Sequence, residues 1–126
     1  LLATADIHVV PLRTGLGAVS VPSKTYSIMA AARPVVAAID LDSVVPRILA
    51  ESRGGVAVAP DDSDSLAAAL ADLLADPTGA AEMGRRGRSW VEKKASPRAV
   101  GRAYDDLVRG LRRDTAERRR SASEHR

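Results

Sequence analysis

The chain has no cysteine and no phenylalanine. Without cysteine there can be no disulfide and no thiolate metal site. Its two histidines, His8 and His125, argue against a histidine-based zinc site. Aromatic residues are limited to Tyr26, Trp90 and Tyr104. A core must therefore be assembled from Ala, Val, Leu and Ile, which suits buried parallel strands and close-packed helices. No apolar run approaches the roughly 20 residues of a membrane span, and no signal-peptide pattern opens the chain. A cytoplasmic protein, or part of one, is the expectation.

What is present is an apolar content of 45% in 126 residues, enough for one domain with a modest core. The opening LLATAD has no initiator Met and reads as a helix end running into a strand, the pattern of a piece of something longer. Charge is lopsided. Up to Gly84 there are 5 basic against 10 acidic residues, and from Arg85 onward 14 against 6, so a net charge of +3 hides an acidic front and a basic back.

Three short apolar runs read as strands: Ile7 to Leu12, Val35 to Ile39 and Val56 to Ala59. Between them, Ser23 can cap a helix from about Lys24 to Ala32, and Pro34 ends it. Asp42 or Ser43 starts a second helix through Glu51, closed by Gly54-Gly55. The cluster Asp61, Asp62, Ser63, Asp64, Ser65 offers caps for an amphipathic helix carrying Leu66, Leu70, Leu73 and Leu74. Asp76-Pro77 breaks it. A helix from about Ala80 to Lys94 follows, then one capped by Ser96-Pro97 with Val100, Tyr104, Leu107, Val108 and Leu111 on one face. Residues 112–126 lack apolar periodicity and read as a basic, disordered tail after a domain spanning 1–111. Strand-helix alternation predicts an α/β fold: a partial Rossmann-like parallel sheet of about three strands with flanking and extra C-terminal helices. The first strand is apolar on both sides, which predicts a central rather than an edge position, with its expected neighbours missing from this chain.

The stretch GLGAVSVPSK, Gly15 to Lys24, lies beyond the carboxyl end of the first strand, where open α/β sheets bind ligands. Glycine lets backbone N–H groups approach a ligand, and a helix start offers free N–H groups with a partial positive charge. A diphosphate matches that arrangement, with the Lys24 ammonium as an added contact. The same residues also suit a plain turn and cap, and spacing alone leaves both readings open.

The runs ADIHVVPL, GLG, VPSKTYSIMAAARPVVA and GGVAVAPDDSDSLAAALADLLADP, in that order, resemble group 1 (family 4) glycosyltransferases. The likeness is greatest to members of the bacterial cell-surface polysaccharide type and covers the chain to about Leu111. It implies the C-terminal half of a GT-B domain that binds a nucleoside-diphosphate sugar, with no cofactor. By this resemblance Gly15, Leu16 and Gly17 face the donor sugar and its phosphates. Ser23 and Lys24 meet the diphosphate, and Ser27 stands where a ribose-binding glutamate is usual. Thr14 replaces an acid often found before the first glycine, and Ala32 stands at a usual glycine. The catalytic groups, the acceptor domain and the basic residues that neutralise the diphosphate are expected in a preceding N-terminal part. The isolated segment is therefore expected to be inactive. The implied partners are a sugar nucleotide, a glycan or lipid-linked acceptor, and an anionic membrane surface at the inner face.

Other residues have plainer readings. His8 reads as a packed, hydrogen-bonded residue, Arg13 as a phosphate contact or a surface arginine, and Asp42 as a cap. Asp40 can touch a sugar hydroxyl but is left outside the expected site. Asp61, Asp62 and Asp64 read as caps rather than metal ligands, and Trp90 and Tyr104 as core anchors. The basic residues from Arg85 to Lys94 and at 118–120 read as a solvated face and tail, because interleaved acids and scarce aromatics disfavour specific nucleic-acid binding. A non-catalytic α/β module for a phosphorylated ligand or a protein partner is the alternative function.

Overall fold

In the computed structural model residues 2–17 and 23–124 are described. Part of the loop expected at Gly15 to Ser20 (residues 18–20) and the last two tail residues fall outside that range. After a 3-10 turn at Leu2–Thr4 come β1 (His8–Pro11), α1 (Ser23–Ala30), β2 (Val35–Ala38), α2 (Val44–Ser52) and β3 (Gly55–Val58). Three helices follow: α3 (Ser63–Ala75), α4 (Pro77–Lys94) and α5 (Pro97–Glu124). The strands form one parallel sheet in the order β1-β2-β3, with Val36 opposite both Val9 and Val56.

β2 is the central strand, and all four of its residues are buried. Among the described residues β1 pairs with β2 alone, with Val10 buried and Val9 41% exposed. An apolar stretch does not distinguish a covered strand from one with an open flank, so only pairing decides position.

Side chains alternate across β2. Val36 packs with Leu73, Ala80, Leu66, Ala69 and Leu70 on the α3 side. Its neighbour Val35 lies near Leu49 of α2, beneath Gly55, where an added Cβ would come within 3.0 Å of both side chains. Burial of small branched residues on both faces, at about 25 cal/mol per Å² of apolar area, replaces the missing aromatics as the source of core stability.

Helix ends follow local chemistry, with some departures from the sequence pattern. α2 has Ser43 rather than Asp42 at its N-cap, and the Ser43 hydroxyl donates backwards to the Asp40 carbonyl at 2.6 Å instead of capping. Its C-cap is Arg53 at φ 51°, not Gly54, although Gly54 N–H is then held by the Ser52 hydroxyl at 3.0 Å. α4 begins at Pro77 because Asp76 ends α3 and also accepts from Gly79 N–H at 2.9 Å. Ser96 caps α5 as expected, accepting from Ala99 N–H at 3.2 Å.

Asp62 is the cap of α3, accepting from the Ser65 hydroxyl at 2.6 Å and the Ser65 N–H at 3.0 Å. Those two bonds, the hydroxyl's first, hold its carboxyl below the usual value of 3.8. Its contribution to stability is thus complete above the unfolded-state value and is lost as pH falls through the lower folded value. Asn at position 62 caps without titrating. The melting-temperature gap between the wild type and Asp62→Asn should therefore shift towards the variant as pH drops below 3.8, as thermal melts across that range would record.

α4 crosses the amino ends of the strands through glycines one turn apart. Gly87 lies against Gly54 and Met29, and Gly84 lies against the backbone of Ala32 and Arg33. Trp90 then stacks on Tyr26 with ring centroids 6.5 Å apart, so the anchor expected of Trp90 is real. The α4 arginines pair along the helix, Arg85 with Glu82 at 2.7 Å and Arg88 with Glu92 at 2.8 Å, as a solvated face requires.

Contacts divide the chain into residues 1–93 and 94–126. The second unit is the single helix α5, on which Tyr104 is 67% exposed and therefore not the core anchor expected. Leu107 and Leu111 are likewise exposed. Residues 112–124, expected to lack regular structure, continue α5. Arg, Ala and Glu favour helix without any packing, a preference that apolar periodicity cannot register.

Candidate functional site

The carboxyl ends of β1 and β2 feed the loop 12–17 and the turn 39–43. Leu12 N–H bonds the Ala38 carbonyl at 2.8 Å, tying the two exits together. Gly15 has φ 83°, a left-handed conformation open to glycine at no steric cost. Gly17 is buried, and a Cβ there would lie 2.9 Å from both the Asp40 carboxylate and the Ser43 Cβ. Space thus requires glycine at position 17, and backbone conformation favours it at position 15.

The residue they approach is Asp40. Gly15 N–H donates to its Oδ2 at 2.9 Å and its Oδ1 at 3.1 Å, and Gly17 N–H donates to Oδ2 at 2.9 Å. The amides expected to meet a ligand's phosphates are therefore engaged by a side chain of the same chain. A second carboxylate arrives from the loop after β3. Asp61, at φ 60°, accepts from the Thr14 hydroxyl at 2.9 Å. It is a partner of the glycine loop, not a helix cap. The segment between Asp6 and Asp40 has no acid of its own, yet two carboxylates stand beside its loop. Residues 25 and 47 positions apart are joined here, a relation that no local spacing signals.

Beside this loop a cavity of about 440 Å³ is lined by Pro11, Leu12, Arg13, Ala38, Asp61 and Leu66 among others. Its place beyond the strand ends is where α/β sheets receive ligands. A cleft of about 390 Å³ near Asp6, Arg33 and Arg85 lies at the opposite, amino edge.

Ser23, Lys24 and Ser27 belong to α1. All three are exposed, and Ser23 is the first residue assigned helical. The position before it lies outside the described residues, so its capping role does too. Ser27 donates back to the Ser23 carbonyl at 3.5 Å, a long bond that leaves its hydroxyl accessible. Leu16 is 43% exposed at the tip of the loop. Among the described residues, no hydrogen bond joins the glycine loop to Ser23, Lys24 or Ser27. The expected site residues are described in two segments, the glycine loop held by Asp40 and the first two turns of α1. His8 belongs to neither: its Nε2 lies 2.7 Å from the Leu2 carbonyl, the hydrogen-bonded role anticipated for it, though the side chain is only half-buried.

Ala32 has φ 57°. The glycine usual at this position in the resembled family has a physical reason, since a left-handed residue is least strained as glycine.

Comparison with known proteins agrees with this architecture. The Glycosyl transferases group 1 family matches residues 1–76. A GDP-mannose-dependent alpha-(1-6)-phosphatidylinositol monomannoside mannosyltransferase of Mycolicibacterium smegmatis is 32% identical over 87% of the chain and 29% of its own length. A protein named probable glycosyltransferase WbjE, from Pseudomonas aeruginosa, is 33% identical over 57% of the chain and 18% of its own length. Sucrose-phosphate synthase from Thermosynechococcus elongatus superposes with a TM-score of 0.67 at 26% identity, over 87% of the chain and 26% of the synthase. The chain thus spans under a third of each of these proteins. With a three-stranded parallel sheet, its helices and a family match over more than half its length, the chain belongs to the group 1 glycosyltransferases.

Proposed function

We propose that the chain forms part of the donor site of a glycosyltransferase that takes a sugar from a nucleoside diphosphate. The observation that carries this reading is the exposed Ser23 and Lys24 in the first turn of α1, which follows the loop leaving the carboxyl end of β1. Free N–H groups and the dipole at that helix start favour an anion, and the Lys24 ammonium adds a unit charge. Ser27, one turn further, offers its hydroxyl to the ribose. Gly15, Leu16 and Gly17 face the sugar, and Asp61 with Thr14 supplies a carboxylate and a hydroxyl for sugar hydroxyl groups.

In such a reaction charge develops on the departing diphosphate, and fixed cations and amides that meet it lower the barrier without a cofactor or metal. Retention of configuration, catalytic groups in a preceding N-terminal domain, and inactivity of this segment alone are parts of the same proposal. The mycobacterial relative's name includes a phosphatidylinositol monomannoside. Together with the basic back half from Arg85 onward, that favours a glycan or lipid-linked acceptor met at the inner face of an anionic membrane. No helix among the described residues is long and apolar enough to cross one.

The test is donor binding by the intact protein with Lys24→Ala and Ser23→Ala. Loss of a charge-assisted contact is expected to weaken nucleoside-diphosphate sugar binding about tenfold for Lys24→Ala, with partial recovery in Lys24→Arg. Titration calorimetry showing unchanged affinity in both alanine variants would remove α1 from the site.

A further inference from the structure

We propose that Asp40 is a specificity-determining positioning residue: its carboxylate fills the anion-binding amides of the glycine loop and keeps phosphate out of them. The proposal rests on the donor-site reading above and divides that site in two. Three N–H···O contacts of 2.9–3.1 Å from Gly15 and Gly17 converge on one carboxylate. A phosphate oxygen seeks the same kind of donor set, and two anions cannot share it.

The backbone that carries Asp40 is fixed. Its carbonyl accepts from both the Ser43 N–H at 3.0 Å and the Ser43 hydroxyl at 2.6 Å, which fixes the turn that carries it. Gly17 closes over it so tightly that a single methyl group would collide with the carboxylate. The loop is thus held from within. Its outward side, with Leu16 at the tip, is left for an uncharged group such as a sugar ring. Asp40's negative charge directs the diphosphate away from the loop, leaving the first turn of α1 and Lys24 as the anion subsite.

Leu16–Gly17 is the only Leu-Gly pair in the sequence, so carbonyl-¹³C leucine with ¹⁵N glycine isolates the Gly17 amide in an NMR spectrum. Inorganic pyrophosphate is the probe, added to the full chain. In the wild type the Gly17 resonance is expected to stay in place. In Asp40→Ala it should move on titration, with pyrophosphate affinity about tenfold higher, or ~1.4 kcal/mol. Asp40→Asn keeps the shape and one acceptor oxygen while removing the charge, and it should also respond. It covers the case in which Asp40→Ala fails to fold. A Gly17 shift in the wild type as large as in the variants would overturn the proposal. So would a Gly17 amide that stays silent in every variant that folds. Failure of donor binding at Lys24 is read separately, since the Gly17 comparison needs no nucleotide sugar.

Discussion

Gly84→Ala is expected to destabilise the fold by about 3 kcal/mol, the upper part of the overpacking range, lowering Tm by roughly 12–24 °C. In an exposed helix the same change would stabilise by up to ~1 kcal/mol, since alanine is the better helix former. The sign reverses because α4 lies directly on backbone. A methyl at Gly84 would collide with the Ala32 carbonyl oxygen and lie 2.7 Å from its carbon and 3.1 Å from the Arg33 Cα. None of these atoms is the end of a flexible side chain, so α4 must lift from the amino ends of the strands. Gly101→Ala is the control, because nothing lies within 4 Å of a Cβ there. Thermal melts followed by circular dichroism should show opposite shifts for the two variants. A Gly84→Ala protein that melts with the wild type would mean that α4 does not rest on this edge.

The second large effect has the opposite sign. Ala32 and Arg53 hold φ 57° and 51°, left-handed conformations that cost an L-residue about 1–2 kcal/mol. Glycine removes that strain but adds freedom to the unfolded chain, so each of Ala32→Gly and Arg53→Gly should stabilise by about 1 kcal/mol. Twenty-one positions separate them along the chain. The sites end different helices, so the double variant is expected to gain about 2 kcal/mol. Denaturant titration at constant m-value would register this as a higher midpoint. A double variant no more stable than the wild type would show that the strain at these ends is already offset by the contacts around them.

Much of the architecture was legible from local pattern. The three strands, the breaks at Pro34 and Asp76-Pro77 and the caps at Asp62 and Ser96 all rest on backbone restriction and on side-chain bonds to near neighbours. Those forces act within a few residues. Of the leucine face expected on α3, Leu66, Leu70 and Leu73 pack on the core while Leu74 is 66% exposed. The departures have other causes. The exposure of Tyr104 depends on whether anything covers α5. The helical backbone of residues 112–124 comes from propensity with no apolar stripe to announce it.

At the candidate site the division is sharper. Sequence alone determined the glycines of the loop, the helix start at Ser23 and Lys24, and a resemblance borne by several weak motifs in a fixed order. Tertiary structure alone brought Asp40 onto the Gly15 and Gly17 amides and Asp61 onto the Thr14 hydroxyl. Local geometry is written into residues that touch through the backbone. Which carboxylate meets which amide across a sheet is decided only when the strands have paired and their carboxyl ends stand side by side.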